Sequence, residues 1–136
     1  MKSENLRDVA LAALDEIKAI DVRVLDVRPL TDITDFMIIA SGRSNRQVRA
    51  LADEVVAEAT LRGVRPLGVE GQQQAEWVLV DLGDVVVHVM QPATRDFYQL
   101  ERLWDDTAAG SGRVRDPVED PRADRAALAG PRGARG

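Results

Sequence analysis

The stretch EWVLVDLGDVVVHVM, residues 76–90, constrains the fold more than any other part of the chain. Two β-branched runs flank Asp81-Leu82-Gly83-Asp84-Val85, and a glycine at the first central position of a two-residue loop suits a type II′ hairpin turn. That turn sets the register. Leu82 falls opposite Val85, Asp81 opposite Val86, Val80 opposite Val87, Leu79 opposite His88, Val78 opposite Val89 and Trp77 opposite Met90. Cross-strand partners share a face. One face is then Val78, Val80, Leu82, Val85, Val87 and Val89, wholly apolar and fit for a core. The other is Trp77, Leu79, Asp81, Val86, His88 and Met90, too apolar for ordinary solvent surface and too polar for simple core. Two readings of it stand open. A helix covers it and leaves Asp81 and His88 satisfied at its margin, or part of it is an exposed contact surface with Trp77 and Met90 as anchors. A slip of one residue would exchange the faces.

The rest of the body supplies partners for this hairpin. Leu6, Val9, Ala10, Ala13, Leu14 and Ile17 recur at helical spacing within 4–19, with Ser3 as the expected N-cap. Residues 21–28 then switch to period two: Ile20, Val22 and Val24 face one way, Leu25 and Val27 the other. DFMIIASG (35–42) reads as a central strand buried on both faces. SNRQ (44–47) is a capping box, with Ser44 as cap and Gln47 reaching back to the Ser44 amide. Behind it Val48, Leu51, Ala52, Val55, Val56 and Ala59 form one apolar stripe, and Gly63 supplies the stop. RPLGVEG (65–71) reads as a short strand, QQQ (72–74) as loop. Pro92 opens a last helix to Trp104, with Phe97, Leu100 and Trp104 on its inner side. The order implies an α/β domain, two- or three-layered, with a mixed sheet of about five strands and helices packed on it.

The domain is expected to span residues 1–104. After Trp104 the chain carries five of the ten glycines, three of the six prolines, and Val114, Val118 and Leu128 as its only large apolar residues. It cannot bury enough surface to offset its ordering entropy, so residues 105–136 are expected to be a disordered tail.

Composition narrows the function classes. The absence of cysteine excludes disulfides, thiol catalysis and cysteine-ligated metal. No run is long enough for a membrane span and MKSENLRDVA is too polar for a signal peptide, so a cytoplasmic protein without membrane contact is expected. The net charge of −5 argues for little direct nucleic-acid binding and favours a basic protein partner. One histidine with scattered carboxylates makes a poor transition-metal site. SGRSN (41–45), between a strand and a capped helix, is a place where a phosphate meets amides, and this layout resembles the nucleotidyltransferase fold. Active members carry paired acids one residue apart on the following strand. Here that strand has Glu70 alone, and Asp81 and Asp84 are separated by a turn. The competing expectation is nonetheless a metal-dependent nucleotidyltransferase using Glu70, Asp81 or Asp84 on a nucleotide held at 41–44. An oligomeric scaffold is the third.

TDFMIIASG, PLGVEG, EWVLVDLGDVVVHVM and FYQLERLW, in this order over residues 6–104, resemble the Iojap-like ribosomal silencing factor family. The resemblance implies a nucleotidyltransferase-like fold without catalytic acids, and a translation repressor needing no cofactor, no metal and no chemistry. It implies a partner, the large ribosomal subunit, bound through its ribosomal protein fourteen near the face that meets the small subunit. Subunit joining is then blocked sterically and translation falls under nutrient limitation. The docking surface it implies is Glu70 with Gly71, then Trp77, Asp81, His88 and Met90, and Tyr98 on the last helix, with no residue in a catalytic role. An exposed apolar face can also pair with a second copy, and a homodimer that used the same face would compete with ribosome binding.

Overall fold

The computed structural model describes residues 1–100; the expected tail and Trp104 lie outside them. The elements are α1 (Ser3–Glu16), β1 (Ile20–Asp26), β2 (Phe36–Ser41), α2 (Asn45–Leu61), β3 (Gly68–Glu70), β4 (Trp77–Asp81), β5 (Val85–Met90) and α3 (Pro92–Tyr98). The five strands form one mixed sheet in the order β1-β2-β5-β4-β3. β2 runs parallel to β5, and the other neighbours are antiparallel. The α/β class and strand number expected from the sequence are those observed.

The hairpin register is the expected one throughout, from Trp77 opposite Met90 to Asp81 opposite Val86. The Leu82 amide donates to the Val85 carbonyl at 2.9 Å to close the turn, and Gly83 takes φ +91° at its first central position. β2 inserts beside β5 with Phe36 opposite Val85 and Ser41 opposite Met90, so Phe36, Ile38 and Ala40 share the hairpin's valine face. On that face lie Leu6, Ala10, Ala13 and Leu14 of α1 and Val48, Leu51, Ala52, Val55 and Ala59 of α2, all buried. Each fully buried Val, Leu or Ile there contributes about 1.5–3 kcal/mol of transfer free energy.

Helix ends explain where expectation and structure part. Ser3 is not a cap: Lys2 holds the N-cap position and no side chain caps the helix. α1 stops at Glu16 because Lys18 turns left-handed, at φ +64°. The Ala19 amide then donates to Leu14 O and the Lys18 amide to Asp15 O, which is a Schellman motif with lysine in glycine's usual place. α2 ends on the same pair of bonds with Gly63 in that place. At its other end Ser44 caps as expected, accepting from the Gln47 amide at 3.1 Å. The Gln47 side chain reaches back one residue further than a standard box, accepting from the Arg43 amide at 2.7 Å, while its amino group donates to the carbonyls of Ile17 and Lys18. It thereby ties the two helices together at one end of the sheet.

The opposite sheet face carries a second, smaller apolar cluster of Leu25, Val27, Met37, Ile39, Trp77, Met90 and Leu100. At the sheet edge Arg28 bridges β1 to α1, bonding Asp26 at 2.6 Å and Glu4 at 3.0 Å. The guanidinium groups of Arg28 and Arg7 lie 4.8 and 4.9 Å from the centroid of the buried Phe36 ring. No helix among the described residues is long and apolar enough to cross a membrane.

Candidate functional site

The second sheet face is built by strand register. Trp77 and His88 are diagonal neighbours, because Trp77 pairs with Met90 and Leu79 with His88. The indole Nε1–H donates to His88 Nδ1 at 2.9 Å. An Nδ1 that accepts a hydrogen bond carries no proton of its own, so the imidazole is neutral with its proton on Nε2. Both side chains are buried, as are Leu79, Val86 and Met90. Trp77 and Met90 are therefore floor, not exposed anchors: the covered reading of this face holds for them.

The exposed aromatic surface lies one layer further out. Tyr98 packs on Trp77 with ring centroids 4.8 Å apart, and Phe97 meets Tyr98 edge-on at 4.9 Å. Tyr98 is 42% exposed and Phe97 80%, whereas Leu100 is buried. The expected inner stripe of Phe97 and Leu100 on one continuous helix is thus corrected. α3 ends at Tyr98, and Gln99 turns left-handed at φ +51°, so the helical period does not carry Phe97 and Leu100 onto one side.

Glu70 pairs with Leu79 and Asp81 with Gly68, which places both carboxylates on this same face, half-buried, toward the β3 edge. Asp81 Oδ1 accepts from the Gly83 amide at 2.9 Å. Asp84 is exposed in the turn, where its carbonyl accepts from the amides of Asp35 and Phe36. All six expected docking residues therefore belong to one side of the sheet. Glu70 and Asp81 are half-buried and Tyr98 is exposed, whereas Trp77, His88 and Met90 lie beneath.

The loop at 41–44 is a different place. Two of its amides are already occupied: the Gly42 amide donates to Met90 O at 3.2 Å and the Arg43 amide to Gln47 Oε1 at 2.7 Å. Ser41 Oγ is buried and accepts from a guanidinium nitrogen of Arg95 at 2.9 Å. Ser41 pairs with Met90, whereas Asp81 pairs with Val86. Four strand residues separate those levels, about 13 Å at the usual rise, and Asp84 lies beyond. Glu70 is three strands away from β2 in the sheet, roughly 14 Å at the usual interstrand spacing. The structure does not bring these carboxylates to the loop. Among the described residues no group of three or more His, Asp or Glu side chains is placed to hold a metal ion.

Sequence reasoning missed three residues. Phe97 was placed inside. Arg95 is a buried tether from α3 to β2. Arg49 of α2 donates to the carbonyls of Gln72 and Gln73 at 2.9 and 2.7 Å. The Trp77–His88 bond had a usable signal, since the expected register already made them diagonal neighbours. The two arginine contacts are long-range polar pairs that no periodicity encodes.

Comparison with known proteins gives this chain a family. A family model described as ribosomal silencing factor during starvation matches residues 1–132. The ribosomal silencing factor RsfS of Chromobacterium violaceum is 49% identical over 104 residues, which cover 76% of this chain and 85% of that protein. A Mus musculus protein named mitochondrial assembly of ribosomal large subunit protein 1 is 34% identical over 100 residues, 71% of this chain and 44% of its own length. The crystal structure of a Chromobacterium violaceum protein, 48% identical, matches the fold with a TM-score of 0.76 over 77% of this chain and 88% of that one. With a family model matched over nearly its whole length and a relative at this identity, the chain belongs to the ribosomal silencing factor family.

Proposed function

We propose that this chain binds the large ribosomal subunit through ribosomal protein fourteen and acts there, in the cytoplasm, as a steric block. Seated near the face that meets the small subunit, it prevents subunit joining and lowers translation when nutrients are short. Family membership carries this reading. The name of the mouse relative points the same way for the large subunit, and the net charge of −5 suits a basic protein partner.

No catalytic step is required. The separation of Glu70, Asp81 and Asp84 from the 41–44 loop, and the engagement of the Gly42 and Arg43 amides within the fold, support action by occupancy rather than by chemistry. Glu70 and Asp81 meet basic side chains of the partner, and Tyr98 supplies buried aromatic area. Trp77, His88 and Met90 act from below by fixing the height and tilt of Tyr98 and the flatness of the sheet.

The test is subunit joining followed by light scattering, with purified large and small subunits and increasing amounts of the full chain. The expected result is inhibition that saturates at one chain per large subunit. Unchanged joining at saturating protein would overturn the steric mechanism.

A further inference from the structure

The loop between β3 and β4 is held more firmly than a connection requires. The Ala75 amide donates to the Gly71 carbonyl at 2.9 Å, closing a tight turn. Arg49 crosses from α2 and engages two successive carbonyls, Gln72 and Gln73, with one guanidinium fork. On the other side the Gln91 amino group donates to Ala75 O at 3.3 Å, and the Gln91 amide to Glu76 O at 3.0 Å. Gly71 sits at φ +91°, and a Cβ there would lie 2.1 Å from the Trp77 carbonyl oxygen. Ala75 is fully buried at φ +56°, a left-handed alanine that persists only because its surroundings fix it.

What this frame presents is Gln72, Gln73 and Gln74, all three exposed. None of their side chains is engaged by another described residue. Each carries both donors and an acceptor, and a backbone already fixed lowers the entropy lost on binding. Glu70 flanks the loop on one side and the exposed Glu76 on the other. The two carboxylates outweigh the single guanidinium of Arg49, so the loop's surroundings stay net negative, which disfavours nucleic-acid phosphates and suits a basic protein segment.

We propose that the Gln72–Gln74 loop is a preorganised recognition element for a basic segment of a ribosomal protein, and that Arg49 is its positioning residue. The inference rests on the large-subunit reading above and extends that docking surface beyond the strand ends at Glu70 and Trp77. Glutamine amides pair with the partner's backbone, and Glu70 and Glu76 receive its lysine or arginine side chains. Arg49 touches no partner and acts through the loop.

The experiment measures association and dissociation of the full chain on large subunits, and on the isolated ribosomal protein that the subunits show to be bound. It compares wild type, the triple variant Gln72→Ala/Gln73→Ala/Gln74→Ala, Arg49→Met, and their combination. The triple variant is expected to bind about tenfold more weakly, and Arg49→Met several-fold more weakly with slower association. Amide exchange at 72–75 should accelerate in Arg49→Met while the global unfolding midpoint holds. Added to the triple variant, Arg49→Met should cost nothing more. Wild-type binding with both variants unaltered overturns the recognition loop. Additive losses overturn the positioning role of Arg49. Losses on subunits but not on the isolated protein overturn the protein partner in favour of RNA. Absence of wild-type binding overturns the underlying large-subunit reading and this inference with it.

Discussion

Replacing Trp77 by phenylalanine removes one hydrogen-bond donor from a buried site. The indole Nε1–H is 2.9 Å from His88 Nδ1, and both residues are buried. Leaving that nitrogen without its donor costs about 1–3 kcal/mol, and the smaller ring adds roughly 1 kcal/mol for the space it leaves. Trp77→Phe should therefore destabilise the protein by about 2–4 kcal/mol. His88→Leu leaves the complementary orphan, an indole N–H facing a methyl group. The double variant removes both halves of the bond and should be less damaged than the two losses added together. The expected coupling is about 1–3 kcal/mol. The assay is equilibrium urea unfolding at neutral pH on wild type, both singles and the double. The cycle subtracts whatever else each residue does, so it reports this pair alone. Additivity within about 0.5 kcal/mol would refute the argument that a buried bond joins these side chains.

Three further outcomes follow from the geometry. Gly71→Ala, at positive φ and against the Trp77 carbonyl, should cost about 2–4 kcal/mol in urea unfolding, whereas Gly68→Ala in open space should stay within about 0.5 kcal/mol. Ser44→Ala should lose about 1 kcal/mol of stability by removing the α2 cap. Asp26 is held below the ordinary aspartate value of 3.8, chiefly by the Arg28 side chain, and Glu4 is lowered by its own backbone bond and by Arg28. Both bind protons less tightly folded than unfolded, so the stability they add is complete above the ordinary carboxylate range and vanishes as pH falls through the lowered values. Arg28→Met should flatten the acid limb of an unfolding-midpoint profile and leave its shape at neutral pH unchanged.

The hairpin was legible because two independent signals agree in it. Gly83 fixes the turn, and period two then assigns every side chain from Trp77 to Met90 to a face. The α2 stripe and its Ser44 cap were legible for the same reason, local chemistry matched to a single period. Where the chain turns left-handed without glycine, at Lys18, Asp21, Ala75 and Gln99, the sequence carries no mark, and the end of α1 and the end of α3 were misplaced accordingly. The mixed face of the hairpin stayed ambiguous because composition shows that a surface is half apolar but not what lies on it. Burial of Trp77 and Met90 depends on how Leu25, Val27, Met37, Ile39 and Leu100 converge from elsewhere in the chain, a tertiary fact. Glu70 and Tyr98 could be placed on the same side as Asp81 only once the β3–β4 register and the packing of Tyr98 on Trp77 were known.

The central claim is that an acidic patch and one aromatic ring on the second sheet face dock this chain on the large subunit. Co-sedimentation with separated ribosomal subunits tests it most directly, comparing wild type with the triple variant Glu70→Lys/Asp81→Lys/Tyr98→Ala, which changes two half-buried carboxylates and one exposed ring. The account predicts wild-type binding to the large subunit only, and its loss in a variant that unfolds cooperatively like wild type. Binding to the small subunit, to neither, or undiminished binding by the folded variant would contradict it.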